Sequence, residues 1–350
     1  MKYEEIFMKR AIQLAKNGLG STSPNPMVGC VIERNSLILS EGWHYQKGKS
    51  HAEVNAINMV NNVSLFFDST LYVTLEPCVH FGKTPPCVDL IIKSNIPRVV
   101  IGVQDPCHKV KGLGIQKLKE HGIEVIENVL TDQCRFLNKR FFTFYEKNRP
   151  YVILKWAQSE NGFMDFLKKK GKKKKKKRFW ISGIYSRQLS HKWRSEEDSV
   201  LVGKNTVLND NPKLNVRKWF GNNPIRIILD RNLNISPSYF VLNGKQQTIV
   251  FTEKKKENQK NIEFIQISFE KKIIKNILNH LYKKKILSLI VEGGKMTLES
   301  FIKENIWDES RIFFCRFFLK KGLYAPIVYG KILKKVDIDD HDQLIIKIPF

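Results

Sequence analysis

At 350 residues the chain exceeds the ~250–300 over which a single core grows, and its 42% apolar content, with 22 Phe and 6 Trp, can fill two domains. Six scattered Cys are too few for a disulfide scaffold, and no apolar run reaches the ~18 residues of a membrane span. Lys and Arg total 60 against 34 Asp and Glu; this net +26 favours anionic partners, but Lys, Asn, Ile and Phe are all frequent, so it is read first as compositional drift.

The opening "MKYEEIFMKRAIQLAKNG" places Ile6, Ala11, Leu14 and Ala15 on one helical face. It carries acids and lacks an apolar h-region, so no signal peptide is expected and the cytoplasm is the default. "MVGCVIE" (27–33) and "LILSEGW" (37–43) predict a hairpin joined by Arg34-Asn35-Ser36. A helix over 51–60, a buried strand over 69–75 and a helix over 84–95, opened by prolines, come next. A strand over 97–103 precedes "GIQKLKEHG" and "IEVIENV", which read as helix, Gly stop and strand. One long helix is expected over 131–148, and a domain boundary at Arg149-Pro150. Beyond it, "YVILKWA", "SVLVG", "PIRIILD", "QQTIVF" and "ILSLIVEGG" are strand-like, so both domains read as α/β. The tract "KKKGKKKKKKR" (168–178) sets ten cations in eleven positions, which predicts a solvated, disordered loop.

Chemistry concentrates in "HAEVNAI" (51–57) and "TLEPCVHFGKTPPC" (74–87). Zinc takes imidazole and thiolate ligands, and a catalytic site keeps one position for water. His51, Cys78 and Cys87 supply three such ligands near predicted helix starts, where thiolate is favoured. Gly82, Pro85 and Pro86 suit a tight loop returning Cys87 to Cys78. Glu53 follows His51 by two residues, ~200° around an ideal helix, so it suits proton transfer better than ligation. A closed structural site would need a fourth ligand, for which His80 and Cys107 are nearest. The order H-x-E then P-C matches zinc deaminases, although the second Cys lies nine residues on.

With "SPNPMVGCVI" and "VQDPCHKVKGLG", these motifs resemble the bifunctional deaminase–reductase family of riboflavin biosynthesis over nearly all of 1–148. The widened Cys spacing around G-K-T-P-P is that family's form, distinct from cytidine and tRNA-adenosine deaminases. The resemblance implies an N-terminal cytidine-deaminase-like layered domain and a C-terminal dihydrofolate-reductase-like domain over 150–350. Its substrate would be a diaminopyrimidinone carrying a ribosylamino phosphate, with zinc at His51, Cys78 and Cys87, Glu53 as the catalytic carboxylate and Asn25 holding the pyrimidine. Cys107 stands where the family has Asn.

In the second domain, "LKWAQSENG", "FWIS", "WRSEEDSVLVGKNTVLNDNPKLNVR" and "LIVEGG" resemble the same family's reductase. By position the resemblance implies NADPH contacts at Ala157, Trp180, Thr206, Asp210, Arg231 and Gly294. It implies substrate contacts at Arg194, Leu214, Arg217 and Glu292. The family's S-L-D-G is Ser159-Glu160-Asn161-Gly162 here, and its D-D-P is Asp210-Asn211-Pro212. The resulting expectation is zinc-dependent deamination followed by NADPH-dependent reduction of the ribosyl to a ribityl side chain, in a homo-oligomer without membrane or nucleic-acid partners. The alternatives are a deaminase with a remnant second domain and, from the basic charge, a nucleic-acid base deaminase.

Overall fold

The computed structural model describes residues 3–81, 85–166, 180–270 and 272–350; Gly82 and the 168–178 tract lie outside the described residues. The chain divides into two units, Met1–Asn148 and Arg149–Phe350. No helix is long and apolar enough to cross a membrane among the described residues.

The first unit runs α1 (Tyr3–Ala15), β1 (Gly29–Arg34), β2 (Leu37–Trp43), α2 (Ala52–Ile57), β3 (Thr70–Val73), α3 (Cys87–Lys93), β4 (Arg98–Ile101), α4 (Leu113–Glu120), β5 (Glu124–Ile126), α5 (Thr131–Leu137) and α6 (Lys139–Lys147). Its sheet has the order β2-β1-β3-β4-β5. The pairings β1/β2 and β1/β3 are antiparallel, whereas β3, β4 and β5 are parallel. Asn35 and Ser36 both take positive φ, 52° and 65°, the two-residue turn whose twist suits a hairpin. Side chains alternate across β1. Cys30 and Ile32 join the core with Ala56 of α2, Ile91 of α3 and Leu118 of α4, whereas a Cβ on Gly29 would run into Ala11 of α1. The result is a sheet with helices on both faces.

The helix expected over 131–148 is broken at Asn138, whose φ is −102°. Its side chain serves a distant backbone instead: Oδ1 accepts from Met27 N–H at 2.8 Å and Nδ2 donates to Met27 O at 2.8 Å. Satisfying both buried groups outweighs continuing the helix.

The second unit runs β6 (Tyr151–Ser159), β7 (Phe163–Phe166), α7 (Ile184–Glu196), β8 (Ser199–Gly203), α8 (Lys204–Asp210), β9 (Ile225–Leu229), β10 (Thr248–Thr252), β11 (Ile262–Gln266), α9 (Ile273–Lys283), β12 (Ser288–Val291), α10 (Lys295–Lys303), β13 (Glu309–Cys315), β14 (Gly322–Tyr324), β15 (Lys331–Asp337) and β16 (Asp342–Ile348). One sheet carries nine strands in the order β11-β10-β9-β8-β12-β6-β13-β16-β15, parallel as far as β13. Both pairings at the β16/β15 edge are antiparallel. Along β6, Val152, Leu154 and Trp156 pack with Ile277 of α9 and Phe301 of α10, while Tyr151 and Ile153 pack with Trp193 of α7. Burial on both faces explains why these strands read as continuous apolar runs.

Candidate functional sites

His51 stands at the N-cap of α2, Cys78 in the loop after β3, and Cys87 begins α3 behind Pro86. This fold brings His51 Nδ1 to 3.3 Å from Cys87 Sγ and 3.6 Å from Cys78 Sγ. All three donor atoms lie within 4.8 Å of one another, and among the described residues no fourth joins them. Neither His80 nor Cys107 belongs to the cluster, so the donor set fits an open zinc site. The backbone N–H of Cys87 donates to Cys78 Sγ at 3.4 Å. The hydrogen bond from Cys87 pulls the Cys78 thiol down to about 4 while raising that of Cys87, so one thiolate is already favoured.

Glu53 is buried in the first turn of α2, with its carboxylate in hydrogen-bonding reach of the Cys87 thiol. Burial lifts its pKa, and the nearby His51 opposes that rise. A carboxyl whose burial favours its protonated form is suited to take up a proton and pass it on.

Asn25 is oriented by a residue that sequence reasoning missed. The His44 ring places Nδ1 at 2.9 Å from Ser50 O and Nε2 at 3.2 Å from Asn25 Nδ2. A carbonyl only accepts, so Nδ1 carries the hydrogen and Nε2 accepts from the amide. Burial lowers the His44 pKa and keeps that tautomer neutral.

Glu76, in "TLEPC", was also missed. Its carboxylate accepts from the backbone N–H of Asp105, Gly112, Gly114 and Ile115, at 3.2, 3.0, 2.9 and 3.3 Å. It thereby ties the Cys78 loop to the start of α4, and a Cβ on Gly114 would strike the Pro77 carbonyl. An acid inside the apolar run "YVTLEPC" was the available signal.

In the second unit, a cavity of about 780 Å³ opens at the carboxyl ends of the parallel strands. Such crevices are where open α/β sheets hold ligands. Ala157, Trp180, Thr206, Asp210 and Gly294 line it, and so do Arg194, Leu214, Arg217 and Glu292. Arg231 does not line it; its Nε donates to Glu253 Oε2 at 2.7 Å, because Glu253 backs onto the same turn through Glu253 N–H to Arg231 O at 2.9 Å.

Gly293 is required because a Cβ there would lie 2.6 Å from Val202 Cβ. Gly294 takes φ +70°, and a Cβ would crowd Thr206 Oγ1 at 3.2 Å. The start of α10 thus presents backbone N–H groups and two hydroxyls, Thr206 and Thr297, to the cavity, which suits a cofactor phosphate. Lys155 lines the same cavity and was missed, although a Lys within the strand "YVILKWA" marked it. Burial lowers its pKa, and Glu292 opposes the fall. Asn211, where the family has Asp, ends α8 in the left-handed region at φ 38° and accepts from Phe240 N–H at 2.8 Å. Asn suits both tasks.

A three-donor metal centre on one α/β unit and a nucleotide-sized cleft on another define a zinc deaminase joined to a pyridine-nucleotide reductase. The cytidine and deoxycytidylate deaminase zinc-binding region matches residues 1–103, and the RibD C-terminal domain matches 150–330. The riboflavin biosynthesis protein RibD of Aquifex aeolicus (strain VF5) is 42% identical over 325 residues, covering 91% of this chain and 89% of that one. That of Bacillus amyloliquefaciens is 38% identical, covering 94% and 88%. A solved structure of the diaminohydroxyphosphoribosylaminopyrimidine deaminase/5-amino-6-(5-phosphoribosylamino)uracil reductase of Thermotoga maritima superposes with a TM-score of 0.87, at 38% identity and 99% coverage of both chains. The chain belongs to the RibD family of riboflavin biosynthesis and combines its deaminase and reductase activities, served by zinc and NADPH.

Proposed function

We propose that residues 1–148 deaminate a diaminopyrimidinone bearing a ribosylamino phosphate, and that residues 150–350 then reduce its ribosyl group to ribityl. The observation that carries the first step is the convergence of His51, Cys78 and Cys87 within 4.8 Å, beside the buried carboxyl of Glu53. Zinc held by those donors supplies Lewis acidity that makes water a nucleophile near neutral pH. Asn25, fixed by His44, holds the heterocycle edge. Glu53 accepts a proton from the attacking water and delivers it to the departing amine; a C–N bond breaks, a C–O bond forms and ammonia leaves.

In the second unit, NADPH supplies hydride to the open-chain carbonyl of the sugar. Thr206, Asp210, Gly294, Ala157 and Trp180 hold the cofactor, and Arg194, Leu214, Arg217 and Glu292 hold the substrate. The Arg217 guanidinium, exposed toward the cavity, suits a phosphate dianion. Arg231 has a cofactor role only if it leaves Glu253.

All six cysteines are unpaired, which fits a reducing, cytoplasmic setting. The edge strand β15 exposes Ile332 and Leu333 at 53% and 45%, which supports a homo-oligomer that sedimentation would detect. The test of function is incubation with the diaminopyrimidinone phosphate, with and without NADPH, resolving products by mass. Oxygen should replace nitrogen without NADPH, and two hydrogens should be gained with it. A product unchanged by NADPH defeats the second step, and no loss of ammonia defeats the first.

A further inference from the structure

Between α8 and β9 the chain passes through Lys213–Arg217 without helix or strand, yet each of these five residues has a backbone group held by a side chain from elsewhere. Arg226, buried on β9, donates to Lys213 O from Nε at 3.0 Å and from Nη2 at 2.6 Å. Gln246, just before β10, donates from Nε2 to Leu214 O at 3.1 Å and to Pro224 O at 2.6 Å. Arg194 of α7 reaches Asn215 O at 3.4 Å. Val216 N–H donates to Asn223 Oδ1 at 2.8 Å, and Arg217 N–H donates to His191 Nδ1 at 3.3 Å. Leu214, at the centre, is 3% exposed and takes φ 49°, a conformation that a Leu does not adopt unaided.

We infer that His191, Arg226 and Gln246 are positioning residues of the reductase, which set the Lys213–Arg217 segment so that Arg217 meets the substrate phosphate and Leu214 its neighbouring group. The inference rests on the reading that Leu214 and Arg217 face the substrate. His191 acts only as a neutral ring, because its Nδ1 lone pair receives the Arg217 N–H. Burial, reinforced by Arg194 and Arg217, pushes its pKa down to about 4, so the acceptor is present throughout the physiological range. Arg226 has a different reason to be an arginine. Its guanidinium is sunk among carbonyls, those of Lys213 and Phe240, and its planar fork spans the Lys213 oxygen from two nitrogens. Burial lowers its pKa only to about 10, so the charge stays and strengthens the bond to that carbonyl. A segment without a ladder of its own, fixed before substrate arrives, spares the ordering cost at binding.

The test uses the full chain with NADPH and two substrates, the deaminated pyrimidine ribosylamino phosphate and its dephosphorylated counterpart. His191→Leu should raise KM for the phosphorylated substrate by about five- to tenfold and change kcat little, the signature of lost uniform binding. It should leave the KM for NADPH and for the dephosphorylated substrate unchanged. His191→Asn, whose Oδ1 accepts the same N–H, should recover most of the loss. Arg226→Lys, which keeps the charge but loses the fork, should raise the same KM independently. An equal rise for both substrates, or none in either variant, overturns the inference. Arg217→Gln separates the underlying reading. If it spares the phosphorylated substrate, Arg217 is not a phosphate ligand; if it does not while His191→Leu and Arg226→Lys are silent, only the positioning claim falls.

Discussion

Arg194 and Glu292 meet as a two-point pair, Nε to Oε1 at 2.7 Å and Nη2 to Oε2 at 2.6 Å, joining α7 to the end of β12. Burial would raise the Glu292 pKa, but Arg194 and Lys155 outweigh it and hold it at about 2. Because the folded value lies below the ordinary ~4.3, the contribution to stability is full above that pH and is lost as pH falls toward the folded value. The second unit should therefore lose stability steeply between those values. Glu292→Gln should leave Arg194 buried without its countercharge, cost about 3–5 kcal/mol and abolish that acid-sensitive step. Urea titrations across pH measure both; unaltered stability in Glu292→Gln refutes the pairing as a support of the fold.

Removal of one zinc ligand should separate the activities. Cys78→Ser takes a thiolate from the three-donor cluster, so bound metal and deamination should vanish together. Reduction of the deaminated intermediate by NADPH should persist, since no ligand lies in the second unit. Metal analysis beside the two assays reads this, and deamination by a metal-free Cys78→Ser chain would show the ligands misassigned.

Glu53→Gln keeps the shape of the side chain but cannot carry the proton. Deamination should fall by about a hundredfold to ten-thousandfold with zinc content unchanged. A variant with ordinary turnover would rule out Glu53 as the proton carrier.

Glu76→Ala would orphan four backbone donors, three at the start of α4 and one, Asp105, in the loop before it. Each unpaired buried donor costs about 1–3 kcal/mol, so the first unit should lose at least about 3 kcal/mol. Its melting point should drop while that of the second unit stays constant. Calorimetry on the full chain resolves the two, and an unshifted first transition would contradict this account.

The metal centre could be read from sequence because its chemistry is written in two short motifs, and His51 and Cys87 do stand at helix starts as their spacing predicts; Cys78 does not, lying in the loop after β3 with no helix at its position. The break at Asn138 could not be, since its partner Met27 lies 111 residues away. The roles of His44, His191 and Arg226 were hidden for the same reason, each depending on a carbonyl, amide or N–H brought close only by folding. The antiparallel edge escaped as well: β15 places Lys331, Lys334 and Lys335 among Ile332 and Leu333 with every residue but Val336 exposed, so no alternation marks a buried face. Arg231 shows the converse, a position matched by resemblance whose side chain turns to Glu253 instead.

The irregular path from Lys213 to Arg217 is, in hereditary terms, stored outside itself. Its contour is encoded at His191, Gln246 and Arg226, which no linear reading of the segment would visit. Drift at Val216, which enters only through its backbone N–H, should therefore be tolerated so long as those remote anchors persist, whereas one exchange at an anchor would redraw the whole bend.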